Sequence, residues 1–175
     1  MEKLEKQKCV FCHQDKLTLM QDEVDVPYFG KVFVFSMKCE NCSFSKSDVE
    51  AVSIKEPCKI TFTVENKKDL DVRVVKSSNA SIKIPGLKVD SRPGPASEGY
   101  VSNVEGLLGR FKNILESARD NSEDEEDKKS IKSLLKKLWK VECGDIPLKI
   151  IIEDPTGNSG VISEKAVVEK MKVKK

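Results

Sequence analysis

The residues best equipped for chemistry are two Cys-x-x-Cys turns, Cys9-Val10-Phe11-Cys12 and Cys39-Glu40-Asn41-Cys42, with 26 residues between them. A turn of this kind aims two thiolates at one point. Two such turns facing each other place four sulfurs at the corners of a tetrahedron, the arrangement Zn²⁺ accepts in closed structural sites. The expectation is one structural Zn²⁺ on Cys9, Cys12, Cys39 and Cys42. A redox pair would have no use for a second copy at this distance. Four thiolates fill the coordination sphere and leave no position for water, so the site does not read as catalytic. His13, the single histidine, sits beside Cys12 as a bystander.

Something must bring the second knuckle back beside the first. Leu17 to Val26 and Lys31 to Met37 read as two strands, and Asp25-Val26-Pro27-Tyr28-Phe29-Gly30 carries turn residues between them. Together they predict a zinc ribbon, with Tyr28 and Phe29 as an aromatic pair at its tip. Phe44 to Asp48 reads as polar turn and Val49 to Ile54 as a further strand, so the first module is placed at residues 1–56.

The chain has 175 residues, 31 basic against 29 acidic side chains and a net charge of +2, which gives no electrostatic argument for nucleic acid or membrane binding. It has no apolar run of membrane-spanning length, and Met1 to Lys6 is charged rather than signal-like. Paired cysteines without an export signal point to a reducing, cytoplasmic setting. Cys58 and Cys143, the remaining cysteines, read as small buried hydrophobes.

Residues 57–175 read as a second, β-rich module. Cys58, Ile60, Phe62 and Val64 alternate with polar neighbours, as do Leu70, Val72 and Val74, and Ala80 to Ile84 makes a third short strand. Short strands closed by turn residues predict an antiparallel sandwich or barrel rather than a βαβ fold. At Ser102 the period changes. Val104, Leu107, Leu108, Phe111, Leu115 and Ala118 form one helical stripe, with Ser102 and Glu105 as its capping box. Ile131, Leu134, Leu135, Leu138 and Trp139 form another, capped by Ser122 and Glu125 and stopped by Gly144. A helical hairpin is therefore expected at about residues 102–143. The acidic run Asp120 to Asp127 and the lysines that follow read as a solvated helix face.

Ile146 to Ile152 returns to strand, and its near-continuous apolar run suggests a central position. The strand ends in Asp154-Pro155-Thr156-Gly157-Asn158-Ser159, a turn whose Asn and Ser side chains can bond local amides and which could serve as a recognition loop. Residues 163–175 leave strand and helix both open.

Several strings together resemble one family, the ZPR-type zinc-finger proteins, over roughly residues 9–160. They are the two knuckles with Ser36-Met37 before the second, Asp69-Leu70, Val74-Val75-Lys76-Ser77, Ile84-Pro85, Val104-Glu105-Gly106-Leu107-Leu108 and Asp154 to Ser159. The resemblance implies a single copy of a unit that eukaryotic members carry in tandem. That unit is a zinc finger followed by a double-stranded β-helix domain with a helical hairpin inserted. It also implies binding of translation elongation factor one-alpha, preferentially in its GDP form, as a folding chaperone. The chain departs from the family at three places. His13 and Ser43 stand where glycine usually follows the second and fourth cysteines, and Gly86 stands where an acidic residue commonly follows Ile-Pro.

The sequence therefore reads as a non-enzymatic binding module, mainly β with a helical hairpin. Candidate partner contacts are Tyr28, Phe29, Arg73, Lys76, Ser77, Asp154, Asn158 and Ser159. The rival class is a nucleic-acid-binding zinc ribbon of the transcription or translation machinery, for which only the second helix and the tail are basic enough. A small-ligand pocket in the β domain is a third reading, by analogy of fold.

Overall fold

The knuckles sit at the base of an antiparallel sheet whose two long strands, β2 (Leu17–Val26) and β3 (Gly30–Cys39), pair in unbroken register from Leu17 opposite Cys39 to Val26 opposite Gly30. This computed structural model describes residues 2–26, 30–51 and 55–171. Tyr28 and Phe29, expected at the ribbon tip, lie outside the described residues, as do Val52 and Ile54. Two further strands widen the hairpin: β1 (Glu2–Gln7) on the β2 edge and β4 (Ser45–Ala51) on the β3 edge. Every residue of β1 is exposed. It is held by its backbone ladder rather than by burial, so it leaves no hydrophobic alternation for sequence reasoning to find. β4 begins at Ser45, inside the stretch expected to be turn; pairing with β3 overrides its polar composition.

The second module is built on a five-stranded sheet in the order β12-β5-β10-β7-β8. Its members are β5 (Cys58–Val64), β7 (Ser81–Ile84), β8 (Val89–Ser91), β10 (Leu148–Asp154) and β12 (Val167–Lys170). The apolar run of β10 does lie at the centre, between β5 and β7. The undecided tail supplies an edge strand, β12, paired with β5. A three-stranded sheet, β11-β6-β9, uses β6 (Arg73–Lys76), β9 (Tyr100–Asn103) and β11 (Gly160–Val161). The expected strand from Leu70 is shorter than its alternation suggests. Lys67–Asp71 forms a 3-10 turn instead, closed by a capping box in which Asn66 accepts from Lys68 and the Asp69 carboxylate reaches back to the Asn66 amide.

The helical hairpin consists of α1 (Val104–Asn121) and α2 (Glu125–Glu142). Both caps differ from expectation. β9 stays extended through Asn103 because it pairs with β6, so Asn103 rather than Ser102 caps α1, accepting the Gly106 amide at 2.8 Å. Ser122 terminates α1, and Asp124 starts α2 by accepting from the Glu126 amide. The inward rows Ile60-Phe62-Val64, Ile82-Ile84 and Leu148-Ile150-Ile152 form one core with Val74, Val104, Leu107, Leu108, Phe111, Leu138 and Val141. Trp139, placed in the second apolar stripe by its spacing, is 57% exposed, and Val141 takes the inward position. Among the described residues no helix is long and apolar enough to cross a membrane.

The ribbon packs directly on the second module. Val32 of β3 and Val75 of β6 are buried together against Val34, Val49 and Ile162. Asp48 of β4 accepts from the Gly99 amide at 2.6 Å. Gly99 approaches so closely that a Cβ there would collide with the Val49 carbonyl oxygen. Because that oxygen belongs to backbone and cannot swing aside, Gly99→Ala should destabilise the protein by about 2 kcal/mol or more. Chemical denaturation of the metal-loaded protein checks this; an unchanged midpoint would mean the two modules do not hold each other.

Candidate functional site

Each knuckle turns sharply enough to need backbone in the left-handed region. His13 (φ 58°) and Ser43 (φ 57°) occupy it, each directly after its knuckle's second cysteine. These are the two places where the resembled family carries glycine. A side chain there costs about 1–2 kcal/mol, partly offset by the chain entropy that glycine loses on folding. His13→Gly and Ser43→Gly should each raise stability by roughly 0.5–1 kcal/mol, readable as an upward shift in the thermal midpoint. A fall in that midpoint would show that the His13 or Ser43 side chain holds the knuckle.

The folded knuckles bring the four sulfurs together, all within 4.8 Å of one another. Cys9 Sγ lies 3.7 Å from Cys42 Sγ, and Cys12 Sγ lies 3.7 Å from Cys39 Sγ. With metal–sulfur bonds of about 2.3 Å, the edge of a thiolate tetrahedron is about 3.8 Å. The four cysteines are thus positioned to bind a metal ion, and the set fits tetrahedral Zn²⁺. Hydrogen bonds from the amides of Cys12 and Phe11 favour the Cys9 thiolate. The Gln14 amide, acting on Cys12, is the main reason its thiol sits at about 6. The Phe44 amide favours the Cys42 thiolate in the same way, yet burial and the three neighbouring sulfurs push that thiol to about 12. Without a cation, the last negative charge cannot join the other sulfurs.

The knuckle end also exposes apolar surface. Phe11 is 69% exposed and packs against Phe44 at a centroid distance of 4.6 Å with the rings tilted by 40°, and Val10 is exposed beside it. His13 is likewise exposed and is not among the four clustered ligands.

A second cluster forms where β10 ends. The inward row Leu148, Ile150 and Ile152 continues by its period of two to Asp154, whose carboxylate is fully buried. Five donors surround it. Ser77 Oγ, Ser159 Oγ and the Asn158 amide donate to Oδ2 at 2.8, 2.6 and 3.0 Å, and the Thr156 amide and hydroxyl donate to Oδ1 at 2.8 and 2.7 Å. Ser159 Oγ in turn accepts from the Ser77 amide at 3.0 Å. Burial alone would raise this carboxyl's pKa, but the hydroxyls of Ser159, Thr156 and Ser77 outweigh it and hold it below the usual range. Gly157, at φ +66°, lets the loop pass the chain leaving the ribbon: a Cβ there would collide with the Glu56 carbonyl oxygen.

The proposed contact residues on this side are therefore drawn into one knot. Ser77, Asp154 and Ser159 are buried and bonded to one another, and Lys76 is buried next to them. Asn158 is half-buried, and its side-chain oxygen has no hydrogen-bond partner among the described residues. Arg73 stands apart, exposed at the start of β6. Continuing the alternation of β10 by two residues was the one sequence signal that could have placed Asp154 inside.

A four-cysteine ribbon docked on an antiparallel jelly-roll with a helical hairpin defines a zinc-finger and jelly-roll unit. Comparison with known families bears this out: the ZPR1 zinc-finger domain matches residues 1–56 and the ZPR1 jelly-roll domain matches residues 68–175. The chain belongs to the ZPR1 family. It is 40% identical to a ZPR1-like protein of Methanocaldococcus jannaschii, over 94% of this chain and 83% of that one. It is 42% identical to another of Pyrococcus horikoshii, over 83% of this chain and 67% of that one. The zinc finger chaperone zpr1 of Schizosaccharomyces pombe is 31% identical, over 87% of this chain but only 33% of the yeast protein.

Proposed function

We propose that the chain is a zinc-binding interaction module that binds translation elongation factor one-alpha and assists its folding or nucleotide cycling in the cytoplasm. The single observation that supports this reading best is the exposed apolar surface beside the metal ligands, Val10 and Phe11 against Phe44, in a chain whose yeast relative is named a chaperone. Zinc holds this surface in shape, and no chemistry at the metal is required. Arg73, exposed at the start of β6, offers a further contact away from the knuckles. Binding can shift the partner's equilibrium only as far as the module prefers one nucleotide state.

Titration of the zinc-loaded protein with elongation factor one-alpha in its GDP and GTP forms tests the proposal. Tighter binding to the GDP form is expected, and Phe11→Ala should weaken it about tenfold, as for a buried aromatic contact. Equal, unmeasurable binding to both forms would overturn it. The competing nucleic-acid reading has one feature in its favour, exposed Lys129, Lys132, Lys136 and Lys140 beside exposed Trp139 on α2. Quenching of this single tryptophan by RNA, with a steep salt dependence, would favour that reading instead.

A further inference from the structure

A cleft of about 310 Å³ opens between α1, the loop before β9 and the β4 strand of the ribbon. Three cations reach it: Lys76, Arg110 and Arg92. Lys76 is only 6% exposed. Its ammonium donates to the Ser77 carbonyl at 2.9 Å and to Ser97 Oγ at 3.4 Å, and it pairs with no carboxylate among the described residues. Burial pushes its pKa down, although the more distant carboxylates of Asp154 and Asp48 favour the charge. The Arg110 guanidinium sits over Tyr100, its carbon 4.1 Å from the ring centre, and it too has no carboxylate partner among the described residues. Lys76 Nζ sits 5.7 Å from the centre of the same ring. One tyrosine thus holds two cations that repel each other, with no anion between them.

Such an arrangement is costly unless something negative is brought to it. Tyr100 cannot supply the charge: burial raises its phenol to about 12, so it stays a neutral donor. Ser91 and Ser97 also line the cleft, and Ala80, Ile82, Phe111 and Ile114 make an apolar wall. Glu98 at the rim is engaged by Lys46 at 3.3 Å, and Arg92 is held by Asp90 at 3.3 Å. The cleft is at the small end of ligand pockets, which run from about 300 to 1,000 Å³.

We propose that this cleft is a binding site for a phosphate monoester, its oxyanion between Lys76 and Arg110 and its organic body against Phe111 and Ile114. A guanidinium fork and an ammonium are the two groups best suited to phosphate oxygens. The site is separate from the metal-bound knuckles, and it stands whether or not elongation factor one-alpha is the partner.

The test is titration of the full, zinc-loaded chain with phenyl phosphate, followed by calorimetry and by amide NMR shifts. Saturable one-to-one binding is expected, with the largest shifts at Lys76, Ser97, Gly99 and Tyr100. Arg110→Ala should weaken it at least about tenfold, the usual effect of losing a hydrogen bond to a charged group. Arg110 is exposed, so this variant keeps the fold where Lys76→Ala could lose it. Lys129→Ala on α2, the same loss of charge elsewhere on an exposed surface, should leave affinity unchanged. Equal weakening by both variants, non-saturating shifts spread over the α2 lysines, or benzoate binding as tightly as phenyl phosphate would each overturn the proposal.

Discussion

Cys39→Ser is expected to unfold the ribbon and to abolish stoichiometric metal binding, and prolonged chelation of the wild-type protein should do the same. The ribbon has little core of its own: Cys9, Leu17 and Cys39 are the buried residues of its knuckle cluster, and β1 is wholly exposed. Structural Zn²⁺ contributes on the order of 10 kcal/mol or more in modules of this size. Native stabilities are only about 5–15 kcal/mol, so nothing else in the ribbon can replace it. The second module should survive with reduced stability, because its own core is complete and what it loses lies at the seam: the Val32–Val75 cluster, the Asp48–Gly99 bond, the Lys46–Glu98 pair and the Lys55–Thr156 backbone bond. Metal content and amide NMR spectra measure both effects. Retention of dispersed ribbon resonances after chelation would show that the sulfurs are not what holds the fold.

Asp154→Ala should be the most damaging single substitution in the second module. It leaves three hydroxyls and two amides buried without their acceptor. Removing one side of a buried charged network costs about 3–5 kcal/mol, which corresponds to a fall in melting temperature of roughly 10 °C or more for a protein of this size. Asp154→Asn should be similarly harmful, because its amide group turns two donors toward donors that are already there.

The pH dependence follows from the direction of the shift. The Asp154 carboxyl lies below its ordinary value of 3.8 in the folded state. Its contribution is therefore present above that value and is lost as pH falls through the folded pKa. Asp69 is also held low: burial opposes this, but the Glu65 amide and Lys165 outweigh it, and it loses its contribution in the same acidic window. Since Asp69 is common to both proteins, the gap in stability between wild type and Asp154→Asn should be full at neutral pH and narrow in acid below 3.8. A gap that stays constant through the acid range below 3.8 would mean the carboxylate's charge contributes nothing.

The same residues show how far each level of information reached. The metal ligands were legible at once, because two Cys-x-x-Cys turns state both the ligand type and its local geometry. Alternation in β5 was legible too, since burying one face of a strand requires a period of two, and the near-continuous apolar run of β10 marked a central strand. β1 was not, because a strand held only by its ladder needs no apolar pattern. The caps at Asn103 and Asp124 lie one and two residues beyond Ser102 and Ser122, since their positions depend on where β9 stops pairing with β6 and on how α1 ends. Trp139 fits the helical stripe by spacing, and only the packing of α1 on α2 turned it outward.

By itself, then, the sequence determined a metal-binding ribbon, an antiparallel β domain and a helical hairpin, each encoded by local spacing or period. Tertiary structure alone decided that Lys76, Ser77, Asp154 and Ser159 meet at one place. The hydrogen-bonded pair Ser77, just after β6, and Asp154, at the end of β10, is separated by 77 residues. It also decided that Lys76 and Arg110 share one tyrosine without a carboxylate partner. No local rule places two cations from distant segments on one ring; only the closing of the sheet against α1 does.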